Sequence, residues 1–290
     1  MVDYAQLLVL GAVAGFTIFL GLPLAVMQNV SPRKKGFLNA IAIGILLFLV
    51  IDVFSHAWDT ASTAAANAYK GTAPVGDAVL DLSAVFGGIA IGLLGLVLYE
   101  ARYMAKVDAV AARQPQSVEN GAGGGTQTPL RTQLLEEVSA YRLAMMIAIG
   151  IGAHNFSEGL AIGQSYASGS IGLAVVLVIG FGAHNATEGF GIASPLTRLA
   201  TRPSLRFLAT VGLVGGGPTF LGTLTGSLVG VSDFTYVLFL SVAGGALVYV
   251  SMLMYSSGRR QTTNRVLMTG IFVGLCAGFV TDLIVTLGGA

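Results

Sequence analysis

Residues 150–163 read GIGAHNFSEGLAIG, and residues 180–193 read GFGAHNATEGFGIA. The second stretch repeats the first thirty positions later. In each copy a histidine stands four residues before a glutamate: His154 with Glu158, His184 with Glu188. On a helix that spacing puts both side chains on one face, one turn apart. An imidazole and a carboxylate so placed can share a divalent cation. Asn155 and Asn185 follow each histidine and can add an amide oxygen or orient a ligand. The third histidine, His56, stands four residues after Asp52. These eight residues are the candidate metal ligands. A donor set of imidazole and carboxylate without thiolate suits Zn²⁺, Fe²⁺, Mn²⁺ or Co²⁺ better than Cu⁺. Sites for Mg²⁺ or Ca²⁺ favour oxygen alone.

The elements that must carry these residues are apolar. Of 290 residues, 54% are hydrophobic and only 10% charged, and the mean hydropathy is +0.79. Soluble domains carry about a quarter charged residues. The composition therefore reads as an all-α, polytopic membrane protein. The 40 glycines fit closely packed membrane helices, because lipid gives helices no hydrophobic drive to associate. A net charge of +1 gives no sign of a nucleic-acid partner, and the single cysteine, Cys276, excludes an intrachain disulfide. The leading MVDYAQ lacks a positive charge, so the first apolar run reads as a span rather than a signal peptide.

A span needs about 20 apolar residues. Eight fit: 4–28, 37–57, 77–102, 139–166, 171–197, 206–229, 235–255 and 265–287. Residues 1–102 then hold spans one to three, and residues 139–290 hold spans four to eight. Residues 103–138, rich in Gly, Gln and Pro, read as a flexible cytosolic loop. Of the 15 cationic residues only Lys70 falls in an even-numbered loop. The positive-inside rule then puts both termini outside and loops one, three, five and seven in the cytosol.

An ionisable residue at mid-bilayer costs about 2.5–3.5 kcal/mol on insertion scales and usually faces a cavity. Besides the eight candidates, Asp282 lies within a span, and Asp81 and Glu100 lie near the ends of span three. Asp282 has no partner at i±4. His56 reads equally well as an ordinary interhelical hydrogen bond. The two motif centres, near 156 and 186, average to 171, inside the SGSIG turn. Folded antiparallel about that turn, spans four and five bring both motifs to one depth. Two His, two Asn and two Glu can then converge, and a shared cation offsets the cost of burying the carboxylates.

HNFSEGLAIG and HNATEGFGIASPL resemble the paired HNxPEG motifs in the fourth and fifth helices of ZIP (Zrt/Irt-like) divalent-metal transporters. Eight spans, outside termini and a loop after span three also fit that family. The resemblance implies uptake of Zn²⁺, Fe²⁺ or a related ion toward the cytosol, a binuclear site between helices four and five, and a homodimer. It implies an elevator-like motion of a four-helix unit against a scaffold, and His154, Asn155, Glu158, His184, Asn185 and Glu188 match the family's metal ligands. Two departures stand out. Ser157 and Thr187 replace the motif proline. Span six reads VGGGPTFLG, so Gly217 or Thr219 occupies the place where relatives carry a metal-bridging Glu. Asp52 and His56 fall where the family lines its path with polar residues.

With the resemblance, the expectation is a non-enzymatic transporter of divalent transition metals, and the plasma membrane is the membrane expected for it. Two rivals from other classes stay open: a redox protein with His154 and His184 as axial haem ligands, and an intramembrane metal-dependent hydrolase with an open coordination position. A non-transporting metal sensor is a third.

Overall fold

A computed structural model describes residues 3–27, 31–113, 129–199, 201–230, 232–259 and 262–287. The described residues form eight long helices and no strand. They are α1 (Tyr4–Phe16, continued by 3-10 turns to Val26), α2 (Pro32–Tyr69), α3 (Val75–Arg113), α4 (Pro129–Ala167), α5 (Ile171–Ala193), α6 (Leu205–Leu228), α7 (Asp233–Arg259) and α8 (Asn264–Leu287). Each carries a stretch long and apolar enough to cross a membrane. In hydrocarbon a helix satisfies its own backbone groups, which is why an apolar chain resolves into helices there.

Local chemistry sets the helix ends. The Asp3 carboxylate accepts from the backbone N–H groups of Ala5 and Gln6 at the start of α1. Ser31 caps α2, with Pro32 in the first turn, and Ser204 caps α6 through the N–H of Phe207. The α4–α5 hairpin turns at Gly169, whose φ of 83° is a left-handed conformation open to glycine. There the N–H of Ser170 donates back to the carbonyl of Ser165, closing α4 in a Schellman-type cap.

Glycines sort the helices into two groups. On α4, a Cβ at Gly152, Gly159 or Gly163 would run into backbone carbonyls of α6, at Val214, Thr219 and Thr223. The carbonyls of Ile18 and of Gly216 crowd Gly189 of α5 and Gly15 of α1 in the same way. Backbones of α1, α4, α5 and α6 thus approach to van der Waals contact. A second set of seams joins α2 to α8 at Gly44 and Gly274, and α3 to α7 at Gly92 and Gly245. Between the sets, α5 meets α2 and α8, and α4 meets α7.

Alternate helices run in opposite directions. At one end Tyr166, late in α4, donates from its hydroxyl to Gln6 at the start of α1, 2.7 Å away. At the other end Lys35 of α2 donates to the Thr197 carbonyl after α5, and Arg142 of α4 pairs with Glu100 of α3 at 2.9 Å. Cationic residues crowd this second end. Helices α2, α3 and α4 extend past the expected spans, through residues 58–69, 103–113 and 129–138. The rest of the expected loop, 114–128, lies outside the described residues.

Candidate metal site

The hairpin turn sets the depth of both motifs. With the chain reversed at Gly169, His154 of α4 and His184 of α5 face each other, ring centroids 6.1 Å apart. His154, Glu158 and His184 are all buried and offer ligand atoms within 4.8 Å of one another. Nε2 of His154 lies 3.3 Å from Oε1 of Glu158. Nε2 of His184 lies 3.8 Å from Oε1 of Glu188, which is 1% exposed. One nitrogen of each imidazole thus converges with a carboxylate oxygen, as a four- or five-coordinate cation needs.

Both asparagines are fully buried and held through Nδ2. Asn155 donates to Oε2 of Glu188 at 3.1 Å and to the carbonyl of Gly215 on α6 at 3.0 Å. Asn185 donates to the carbonyl of Ala14 on α1 at 2.9 Å. Each keeps a buried Oδ1 without a hydrogen-bond partner, as do Nε2 of both histidines, Oε2 of Glu158 and Oε1 of Glu188. Buried polar atoms are ordinarily paired. With Nδ1 of His154, seven buried atoms of the motif residues lack a hydrogen bond, and the imidazole–carboxylate contacts among them are no closer than 3.3 Å, which marks a place built for an electrophile.

The two departures from the motif have a local consequence. Ser157 Oγ donates to the carbonyl of His154 at 2.6 Å, and Thr187 Oγ1 to that of His184 at 2.7 Å. Each hydroxyl bonds one turn back, onto the histidine that begins its motif. Such bonds can bend a helix where a proline otherwise would. On α6, Thr219 and Thr223 are fully buried but hold no acid against the cluster. The contribution of α6 is the Gly215 carbonyl that fixes Asn155.

Asp52 and His56 lie farther out. They pair with each other, Nδ1 to Oδ1 at 3.5 Å, and the His56 side chain is 58% exposed. Neither joins the three-residue cluster. Both line a cavity of about 210 Å³ that also reaches His154, Glu158 and His184. Tyr236 of α7 and Asp282 and Thr286 of α8 line it too. Asp282, without a partner on its own helix, thus faces the same cavity as the motif residues. Its one signal in the sequence is a carboxylate inside an apolar run. Tyr236 carries no signal at all.

The cavity leads from the cluster toward the end where α2 and α8 finish and α7 begins. In the opposite direction the packing is apolar. Ile147 and Ile151 of α4, Ile192 of α5, Leu196 beyond it, and Ile43 and Leu46 of α2 are essentially inaccessible and share one core. The site is open on one side and plugged on the other.

A family model described as ZIP zinc transporter matches residues 7–285. Among curated proteins, none matches.

Proposed function

The chain belongs to the ZIP zinc transporter family, and from that premise we propose that it carries Zn²⁺ into the cytosol through the cluster between α4 and α5. Membership makes the chain an integral membrane protein that transports divalent metal and is not an enzyme. The metal, the direction and the ligands are the proposal. The observation that carries it is the convergence of His154, Glu158 and His184, all buried, at the inner end of a cavity.

In this reading the cation enters from the cavity and exchanges water for imidazole nitrogen and carboxylate oxygen. Glu188 and the two asparagine oxygens stand beside the first three ligands. Asp52, His56 and Asp282 form an approach that draws the cation inward. The positive-inside asymmetry assigns the cavity end to the outside, so the cavity opens outward. Transport then requires the apolar plug of Ile147, Ile151, Ile192 and Leu196 to open. The glycine seams suggest how: α1, α4, α5 and α6 are bound too closely to separate and would move together against α2, α3, α7 and α8. A rigid unit carrying both motifs keeps its ligand geometry while its exposure changes sides. The family resemblance adds a homodimer to this reading, and the plasma membrane is the membrane proposed for it.

Zinc uptake into vesicles holding the purified chain tests the proposal, with Glu158→Ala and Glu188→Ala beside the unmodified protein. Loss of uptake in both variants, with unchanged insertion, supports it. Unchanged uptake in both ends it.

A further inference from the structure

At the end of the molecule opposite the metal cavity, a groove of about 850 Å³ opens between the start of α2 and the start of α8, with Met27 at its edge. Its walls have a graded character. Arg33 and Lys34 lie in the first turn of α2, and Phe37 and Leu38 follow each by four residues, one turn deeper on the same face. On α8 Arg265 stands at the mouth and Val266 beside it. The cations are exposed, whereas Phe37, Leu38 and Val266 are half-buried. None of the three cations is in an ion pair among the described residues.

Their placement is electrostatically unfavourable for the helices themselves. A helix N-terminus carries partial positive charge and favours anions. Yet neither α2 nor α8 has an acidic residue in its first turn, and between them they gather four cations there: Arg33, Lys34 and Arg265 around the groove, and Lys35, which donates to the Thr197 carbonyl. Topology signalling alone needs cations near this membrane face, not three around one groove with apolar walls. What complements the groove is a molecule with an anionic head and a hydrocarbon tail. The stretches of both helices that are long and apolar enough to cross a membrane begin here, at Arg33 and Asn264, which puts the groove where lipid headgroups are at hand. Basic pockets between membrane helices on the cytosolic side characteristically take acidic lipid headgroups.

We propose that this groove binds an anionic phospholipid, its phosphate among Arg33, Lys34 and Arg265 and an acyl chain along Phe37, Leu38 and Val266. The lipid would wedge α8 against α2, the helix that carries Asp52 and His56 near its middle. Lipid binding here is independent of which metal is carried and of where that metal binds.

Native mass spectrometry of the delipidated full-length protein in detergent tests it, with phosphatidylglycerol and phosphatidylcholine of identical acyl chains as probes. The expected result is retention of phosphatidylglycerol in preference to phosphatidylcholine. The triple variant Arg33→Gln, Lys34→Gln, Arg265→Gln should weaken that retention at least about tenfold, given the contribution of each cation near a charged lipid. A control triple variant, Arg102→Gln, Arg202→Gln, Arg206→Gln, removes the same charge from α3 and from the start of α6 and should retain the preference. Thermal unfolding checks that both variants are folded. Excess inorganic phosphate should not displace the lipid. No preference in the unmodified protein, equal loss in the control variant, or full displacement by phosphate would each overturn the proposal.

Discussion

Asn155 of the first motif donates to Glu188 of the second, Nδ2 to Oε2 at 3.1 Å, inside a fully buried interface between α4 and α5. The same amide nitrogen also reaches the Gly215 carbonyl. Three helices are therefore tied at the carboxylate that stands beside the metal cluster. Asn155→Ala should free Glu188 and leave a buried carboxylate without its donor, at a cost of about 1–3 kcal/mol. Zinc affinity, measured by competition with a chromophoric chelator, should drop by an order of magnitude or more. Asn155→Asp keeps the oxygen, removes the donor and adds charge next to Glu188, so it should not restore the affinity.

Protons compete with the cation for every ligand in the cluster. Imidazole nitrogens must be neutral and carboxylates ionised to bind metal, so binding releases protons. Lowering the pH adds protons to the metal-free form and weakens binding; raising it does the reverse. Zinc titrations of the purified chain at a series of pH values should show affinity falling steadily toward acid. A pH-independent affinity would mean that His154 and His184 are not ligands.

Asp282 lines the same cavity as His154 and Glu158 yet stands apart from the three-residue cluster. Its substitution should separate approach from binding. Asp282→Asn should slow zinc uptake several-fold at low zinc and leave the equilibrium zinc content of the purified protein unchanged. Equal loss of both would make Asp282 a direct ligand.

The glycine seams predict a sharp positional contrast. Gly159 lies against the α6 backbone at Thr219, whereas Gly95 of α3 has open space around it. Gly159→Val should overpack the α4–α6 seam at a cost of about 1–3 kcal/mol or more. Gly95→Val should be near neutral. Thermal unfolding in detergent checks the pair: a lowered transition for the first, an unshifted one for the second.

Much of this arrangement is legible in the chain itself. Eight apolar runs mark eight helices, and HNxxE written twice around the SGSIG turn brings His154 and His184 to one depth. Both features can be read because i, i+4 spacing and hairpin symmetry are local properties of the chain. The helix ends are less legible. Hydropathy senses where lipid stops, so the alanine-rich residues 58–69 fall outside the second span although α2 runs on to Tyr69. Asp282 and Tyr236 escape a sequence assignment, because what joins them to the cluster is the packing of α7 and α8 around a cavity. No period within one helix records that. The nitrogen-side bonds of Asn155 and Asn185 are equally hidden, since their partners are carbonyls of α6 and α1.

The haem alternative makes a distinct prediction for the same two histidines. Their ring centroids are 6.1 Å apart, and Glu158 and Glu188 stand one turn away on each side. Two carboxylates beside the imidazoles suit a cation. The purified protein should be colourless, without a Soret band, and should hold zinc after dialysis. A haem spectrum lost in His154→Ala would favour the redox reading.

The most direct test locates the ion itself. Anomalous scattering at the zinc edge, from zinc-loaded protein, should give a peak about 2.0–2.1 Å from a nitrogen of both His154 and His184 and in contact with Glu158. A peak elsewhere, with both imidazoles left unliganded, would contradict the account.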